Sequence, residues 1–255
     1  MTINGKTIVV TGVSSGIGAE TAKLLKARGA RVIGVSRTEP AFALDGFVRA
    51  DLSDPSLIDA AVGELPNQID GLCNIAGIPG TMPSEQVARV NYLGVRYLCE
   101  RLIDRIPSGG SIVNTASVLG REWRDRLSLH KQLAQASSFE SGVRFLKDHP
   151  VPQATCYQYF KEALIVWSTI RSQDWYLQRG VRMNCVSPGP VQTKILGDFA
   201  QILGEERVRR DSARIKRPGL VEEIAPAYAF LCSDDSVWVS GADLPIDGGL
   251  ASTYI

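Results

Sequence analysis

Tyr157 and Lys161 lie four residues apart, a spacing that puts both side chains on one face of a helix. A phenol beside an ammonium is a proton-transfer device. The positive charge favours phenolate and lowers the tyrosine pKa from its usual value of about 10 toward neutrality. Tyr159 competes for the role, but Ala163 rather than a lysine stands four residues beyond it. Alone the pair is a weak signal, because Tyr and Lys fall four apart by chance in many helices. It gains force from the other end of the chain. Gly12, Gly16 and Gly18, with Ser14, Ser15 and Ile17 among them, follow the apolar run Lys6–Thr11 and open the amphipathic stretch Ile17–Arg28. Glycine lets a backbone turn tightly against a pyrophosphate, and a helix N-terminus supplies N–H donors and partial positive charge. The spacing is G-x-x-x-G-x-G, a variant of the dinucleotide-binding turn. A dinucleotide site followed by a Tyr-Lys pair predicts a nicotinamide-dependent oxidoreductase.

The second apolar run ends in Val35-Ser36-Arg37. An NAD site places a carboxylate near this point to hold the ribose hydroxyls. A hydroxyl at Ser36 and a guanidinium at Arg37 suit a 2′-phosphate instead, since Arg pairs with phosphate bidentately. The pattern predicts NADP(H) in preference to NAD(H). The alternative is that Arg37 is a solvated surface residue and Glu39 supplies the carboxylate.

These residues need a scaffold. Strand-like runs at Lys6–Thr11, Arg31–Val35, Phe47–Ala50, Asp70–Ile75, Ser111–Thr115, Val181–Val186 and Asp243–Ile246 are separated by helical stretches. Among them are a helix opened by Pro55 and a long one over Ser84–Ile106, closed by Pro107. This alternation predicts an α/β fold, a single-domain Rossmann-type doubly wound parallel sheet over residues 1–255. Two segments interrupt it. An insertion at 119–152, rich in charged and aromatic residues, precedes the Tyr157 helix; its Trp123, Phe139 and Phe145 are candidate walls of an apolar pocket or equally core or interface, and Ser128–Lys147 suits one or two short helices. A charged helical stretch at 195–218 suits a substrate lid. Long insertions in a compact domain are usually functional or interfacial, with solvated decoration as the alternative.

Bulk properties narrow the function. The 255 residues carry a net charge of +1, so no charge excess points to nucleic acid or an anionic membrane. No apolar run reaches the length of a membrane span, and the N-terminus has no signal-peptide pattern. Five scattered cysteines without a C-x-x-C suit reduced thiols in a cytoplasmic protein. His130 and His149 lack a ligand pattern, so no metal is expected.

With these residues in view, the chain resembles the short-chain dehydrogenase/reductase family over nearly its whole length. The resemblance rests on Thr11-Gly12-x-x-x-Gly16-x-Gly18, Asp51-Leu52, Asn74-Ile75-Ala76-Gly77, Asn91, Ser117, Tyr157-x-x-x-Lys161, Pro188-Gly189 and Asp247-Gly248-Gly249. It implies that Asp51 and Leu52 meet the adenine and that Asn74, Ala76 and Gly77 lie along the cofactor. Asn91 would hold a water in a proton relay, and Pro188, Gly189, Val191 and Thr193 would flank the nicotinamide. Tyr157 would act as acid or base on the substrate oxygen, Ser117 would hydrogen-bond that oxygen, and Lys161 would also bind the nicotinamide ribose. Read without the resemblance, Ser117 could merely cap a turn and Asn91 could be a helix-interior amide. Longer shared phrases, such as Cys156–Ser168 and Asp247–Tyr254, imply an aromatic alcohol or aldehyde of the coniferyl type as substrate. Hydroxysteroids and other bulky ketones are the alternative, and a nucleotide-sensing regulator without turnover is a distant third. In most of the family little more than a dozen residues separate serine from tyrosine. The insertion here implies blocked packing of the tyrosine helix against a second copy, hence a homodimer rather than a tetramer.

Overall fold

The computed structural model describes residues 2–193 and 196–254. Ile195, where the expected lid begins, lies outside the described residues, as do Met1 and Ile255 at the ends of the expected domain. Among the described residues seven strands form one sheet: β1 (Thr7–Thr11), β2 (Arg31–Ser36), β3 (Gly46–Arg49), β4 (Gly71–Asn74), β5 (Ser111–Thr115), β6 (Arg182–Pro188) and β7 (Asp243–Ile246). Their order is β3-β2-β1-β4-β5-β6-β7, and every pair is parallel. The order reverses between β1 and β4, so a crevice opens at the carboxyl ends of those two strands. Pro245 is tolerated in β7 because that strand is an edge.

An all-parallel sheet must be covered on both faces, and strand alternation sorts the side chains. Val9, Ile33, Val35, Leu72 and Ile112 enter one core with α2 (Pro55–Glu64), α4 (Gly94–Leu102) and α7 (Cys156–Arg179). Ile8, Val10, Val32, Cys73, Val113 and Val186 enter the other with α1 (Gly16–Ala27) and α10 (Val221–Cys232). Trp167 of α7 is fully buried and meets Trp175 edge-on at 5.9 Å.

The expected long helix at Ser84–Ile106 is instead composite. It opens as α3 (Ser84–Ala88), widens into a π-helical turn at Arg89–Leu93, resumes as α4 and ends in a 3₁₀ turn. Between Pro218 and Asp243, where the sequence pattern marks no element, α10 forms despite an internal Pro226. Glu223 accepts the Leu220 backbone N–H and supports its first turn.

The insertion is not a solvated decoration. It folds into α5 (Leu127–Ala134) and α6 (Phe139–Asp148), and Leu133, Ala134 and Phe139 join the main core with Leu93, Tyr159 and Phe160. The buried Arg96 of α4 ties it down by donating to the backbone carbonyls of Leu133 and Ala136. The stretch expected as a lid forms α8 (Leu196–Leu203) and α9 (Glu205–Arg214). Its two ends are pinned together by Gln192 N–H to the Gly219 carbonyl and Gly219 N–H to the Pro190 carbonyl, both 2.8 Å.

Candidate active site

A cleft of about 950 Å³ runs along the carboxyl ends of the strands, from the β1–α1 turn to the start of the lid. Backbone crowding explains its glycines. A Cβ on Gly18 would sit 2.3 Å from the Gly12 carbonyl oxygen, and one on Gly12 would sit 2.9 Å from Ala76 Cα. The turn is drawn against β2 by Gly12 N–H to the Val35 carbonyl at 2.8 Å. It is drawn against β4 by Thr11, whose buried Oγ1 accepts from the N–H groups of Ile75 and Ala76. Ser15 sits at the α1 N-cap with no side-chain hydrogen bond into the helix, and no acidic residue occupies the first turn. The positive end of α1 therefore meets the cleft without a competing carboxylate, the arrangement a pyrophosphate requires.

Of the residues singled out for the cofactor, all but one line this cleft: Gly12, Ser14 and Ser15 in the turn with Gly16, Ile17 and Gly18 opening α1, Ser36 at the end of β2 with Arg37 beyond it, Asp51 and Leu52 after β3, Ala76 and Gly77 after β4, and Pro188 at the end of β6 with Gly189, Val191 and Thr193 beyond it, together with Tyr157 and Lys161 of α7. The exception is Asn74. It is 1% exposed, absent from the cleft wall, and donates to Asn114 Oδ1 at 2.8 Å and Cys99 Sγ at 3.1 Å. Asn114 in turn donates to Ser168 of α7 at 2.9 Å. Asn74 thus begins a buried relay that sets α7 against β4 and β5. Lys23 and Glu20 of α1 also line the cleft, Lys23 with its ammonium 5.3 Å from the Phe42 ring centroid. Sequence reading passed over Lys23, although it lies seven residues after Gly16, two helical turns along the same face.

The reacting side chains meet at the other end. Ser117 and Tyr157 hydrogen-bond to each other, and Ser117 Oγ also accepts the Leu119 N–H at 3.2 Å, capping the short turn Val118–Gly120. The turn cap given as the alternative is therefore present, and Ser117 also lines the cleft. Lys161 is 3% exposed, donates to the Thr115 carbonyl at 2.6 Å, and lies 5.5 Å from the Tyr157 ring centroid. The expected acidification of Tyr157 is absent here. Burial pushes the phenol above its ordinary pKa, and the Ser117 hydrogen bond offsets only part of this. Burial likewise lowers Lys161 to about 8. The physical reason is that desolvation disfavours both charged forms, while the lysine ammonium is directed at a carbonyl rather than at the phenol.

Asn91 is fully buried within the π-helical turn, its Oδ1 accepting from Ile78 N–H at 2.9 Å and its Nδ2 donating to the Ile78 carbonyl at 2.8 Å. It does not line the cleft wall, but an ideal Gly77 Cβ would lie 3.4 Å from Asn91 Oδ1 and 3.9 Å from Lys161 Nζ. Asn91 therefore stands behind the Gly77 wall, fixing the loop that carries Ile78 and Pro79 into the cleft. Tyr159 points the other way. It is 6% exposed, packs on His130 at 4.7 Å and belongs to the core, which removes it as a competitor of Tyr157.

The insertion aromatics are not cleft walls. Phe139 meets Tyr97 edge-on, Phe145 stacks on His149, and Trp123 packs on a small cluster of Ala116, Ile165 and Cys185. Ile78, Pro79, Ala116 and Val191 give apolar surface to the cleft that Ser117 and Tyr157 line. Behind the first turn of α7, Glu162 is fully buried. It accepts from Arg126 at 2.8 and 2.9 Å, Gln158 at 2.9 Å and His130 at 2.9 Å. Burial opposes its ionisation, yet those donors hold its pKa below the usual glutamate value. Among the described residues, no group of His, Cys, Asp and Glu is placed to hold a metal ion, and no helix is long and apolar enough to cross a membrane.

Comparison with known proteins agrees with this geometry. Residues 6–129 match a family model described as short chain dehydrogenase, and residues 144–251 match one described as Enoyl-(Acyl carrier protein) reductase. The chain is 56% identical, over the full length of both, to a coniferyl-alcohol dehydrogenase of Pseudomonas sp. strain HR199. It is 30% identical to a 3-alpha-hydroxysteroid dehydrogenase/carbonyl reductase of Comamonas testosteroni, covering 95% of each chain. The solved 3-alpha-hydroxysteroid dehydrogenase of Pseudomonas sp. B-0831, complexed with NADH, superposes with a TM-score of 0.84 at 29% identity, over 97% of this chain and 98% of that one.

Proposed function

Because the chain belongs to the short-chain dehydrogenase/reductase family, we propose for it the reaction that its cleft supports: hydride transfer between a nicotinamide dinucleotide and an aromatic alcohol or aldehyde of the coniferyl type. One observation carries the reading. The hydrogen-bonded pair Ser117 and Tyr157 opens into the same cleft as the uncapped α1 N-terminus, so a proton donor and a dinucleotide cradle share one space. The turn Gly12–Gly18 would hold the pyrophosphate, Asp51 and Leu52 the adenine, and Pro188 to Thr193 the nicotinamide end. When bound, the nicotinamide supplies the two-electron hydride carrier.

The chain's own groups manage the proton. Ser117 holds the substrate oxygen by a hydrogen bond that strengthens as charge develops there. Tyr157 gives its proton to a carbonyl oxygen, or takes one from an alcohol. Its raised pKa makes neutral phenol the resting form, which favours donation to an aldehyde over abstraction from an alcohol at neutral pH. Lys161, at about 8, is mostly charged at pH 7 and stabilises negative charge as it appears on the phenol. Asn91 acts through Ile78, keeping the loop at the apolar end of the cleft in place.

For the cofactor we propose NADP(H) over NAD(H). The support is Ser36 and Arg37 on the cleft wall, where the further cation Lys23 is paired with Glu20 at 3.5 Å and Asp51 is the carboxylate after β3. For assembly we propose a homodimer, because α5 of the insertion packs on α7 and covers part of the face a second copy would use. Initial rates with coniferyl alcohol, NADP⁺ and NAD⁺ in parallel, test the first two points. Faster turnover with NADP⁺, and a KM for NADP⁺ about tenfold higher in Arg37→Ala with that for NAD⁺ unchanged, is the expected result. Turnover with NAD⁺ alone would keep the substrate and discard the cofactor assignment. Turnover only with hydroxysteroids or other bulky ketones would replace the substrate. A tetramer in sedimentation would overturn the assembly.

A further inference from the structure

The helix α9 presents a packing problem. Its sequence, Glu205-Glu206-Arg207-Val208-Arg209-Arg210-Asp211-Ser212-Ala213-Arg214, has only Val208 and Ala213 as apolar residues, too few for a buried stripe. A helix without an apolar face needs another fastening. Asp211 shows where it is. It is 7% exposed, while its described neighbours in α9 are exposed or half-buried. A carboxylate is taken out of water only when paired.

One partner is Tyr254, whose hydroxyl donates to Asp211 Oδ1 at 2.6 Å, while Arg210 Nε lies 3.6 Å from the same oxygen within α9. The Tyr254 ring in turn meets two guanidinium groups, Arg121 at 3.7 Å and Arg214 at 4.7 Å from its centroid. Arg214 also donates to Thr253 Oγ1 at 3.0 Å. Arg121 ends the turn that Ser117 caps, four residues after the serine. Three segments far apart in sequence therefore converge on one aromatic ring: the insertion beside Ser117, the lid, and the stretch after β7.

We propose that Tyr254 is a positioning residue that clasps α9 to the Ser117 turn and so sets how tightly the substrate end of the cleft closes. The clasp acts through the lid and touches no reacting atom. The lid leaves the cleft wall after Thr193 and rejoins it at Val221, and its two ends are held together by the backbone hydrogen bonds of Gly219 to Pro190 and Gln192. Fixed at those ends, α9 still moves about them unless something holds it, and Tyr254 supplies that hold. The clasp serves substrate capture and leaves the proton-transfer groups where they are. The inference rests on the proposed activity for its kinetic consequence, and on the structure alone for the clasp.

Two variants separate the contacts. Tyr254→Phe keeps the ring against the guanidinium groups and loses the Asp211 hydrogen bond, whereas Tyr254→Ala loses both. Hydrogen exchange of the wild type and both variants reads the clasp without any turnover. Amides of 205–214 are expected to exchange about tenfold faster or more in Tyr254→Ala, less so in Tyr254→Phe, with β1 and α1 unchanged. With coniferyl alcohol, KM is expected to rise about tenfold in Tyr254→Ala, while kcat stays within about twofold and the dinucleotide Kd is unaltered. Unchanged exchange in α9 would overturn the clasp. Faster exchange with an unaltered KM would overturn its role in substrate capture. A wild type that fails to turn over the alcohol would count against the substrate assignment, leaving exchange to decide the clasp.

Discussion

Lys161 is the sharpest place to test the electrostatics of the site, because its burial makes a stability signature that needs no substrate. Its pKa falls from 10.5 to about 8 in the folded protein. That drop amounts to about 3 kcal/mol against the charged form. Between these two values the unfolded chain holds a proton that the folded chain has released. Stability therefore rises with pH across that window, and below pH 8 the folded protein carries the full cost of the buried charge. Moving from pH 7 to pH 9.5 recovers about 2 kcal/mol of it. Lys161→Met keeps the volume and removes the titration. Urea unfolding of cofactor-free wild type and variant, at pH 7 and pH 9.5, isolates the effect, because every other titrating group is common to both. The wild type should gain about 2 kcal/mol relative to the variant between the two pH values. Parallel stability of the two proteins across that interval would refute the reasoning and mean that Lys161 titrates as an ordinary exposed lysine.

Other consequences are as direct. Glu162→Ala strands Arg126 and His130 without their shared carboxylate and should cost about 3–5 kcal/mol, seen as a fall in Tm on the order of 10 °C. An unchanged Tm would show that water readily replaces the carboxylate. In Gly18→Ala the new methyl group collides with the Gly12 carbonyl oxygen, a backbone atom with little room to move. Calorimetry should show a dinucleotide Kd raised about tenfold or more, with about 1–3 kcal/mol of lost stability. Native affinity in that variant would contradict the close packing of the turn. Ser117→Ala removes the hydroxyl proposed to hold the substrate oxygen, so kcat should fall about 100-fold with dinucleotide affinity retained.

Local patterns made much of this legible in sequence. The glycine turn between β1 and α1 and the pair Tyr157 and Lys161 each depend on residues a few positions apart, where helical and strand periodicity carry the information. The alternation of apolar strands and helices gave the parallel sheet for the same reason. What escaped depends on distant partners. Asn74 lies in a recognisable motif, yet its side chain is spent on Asn114 and Cys99, across the sheet and beyond any local pattern. The Tyr157 pKa went the wrong way because spacing counts the lysine charge and cannot count desolvation. The insertion read as charged and aromatic, and only the folded chain shows Phe139 in the core and Arg96 binding its backbone. Tyr254 meets residues forty and more positions away, so no window of sequence contains its clasp.

The measurement closest to the central claim is the initial rate of nicotinamide reduction with coniferyl alcohol, wild type against Tyr157→Phe, at saturating dinucleotide. The wild type should turn over, and the variant should lose about 100-fold or more in kcat with dinucleotide affinity intact. A variant that turns over near the wild-type rate would contradict that claim, since the phenol hydroxyl would then not be the group that moves the proton.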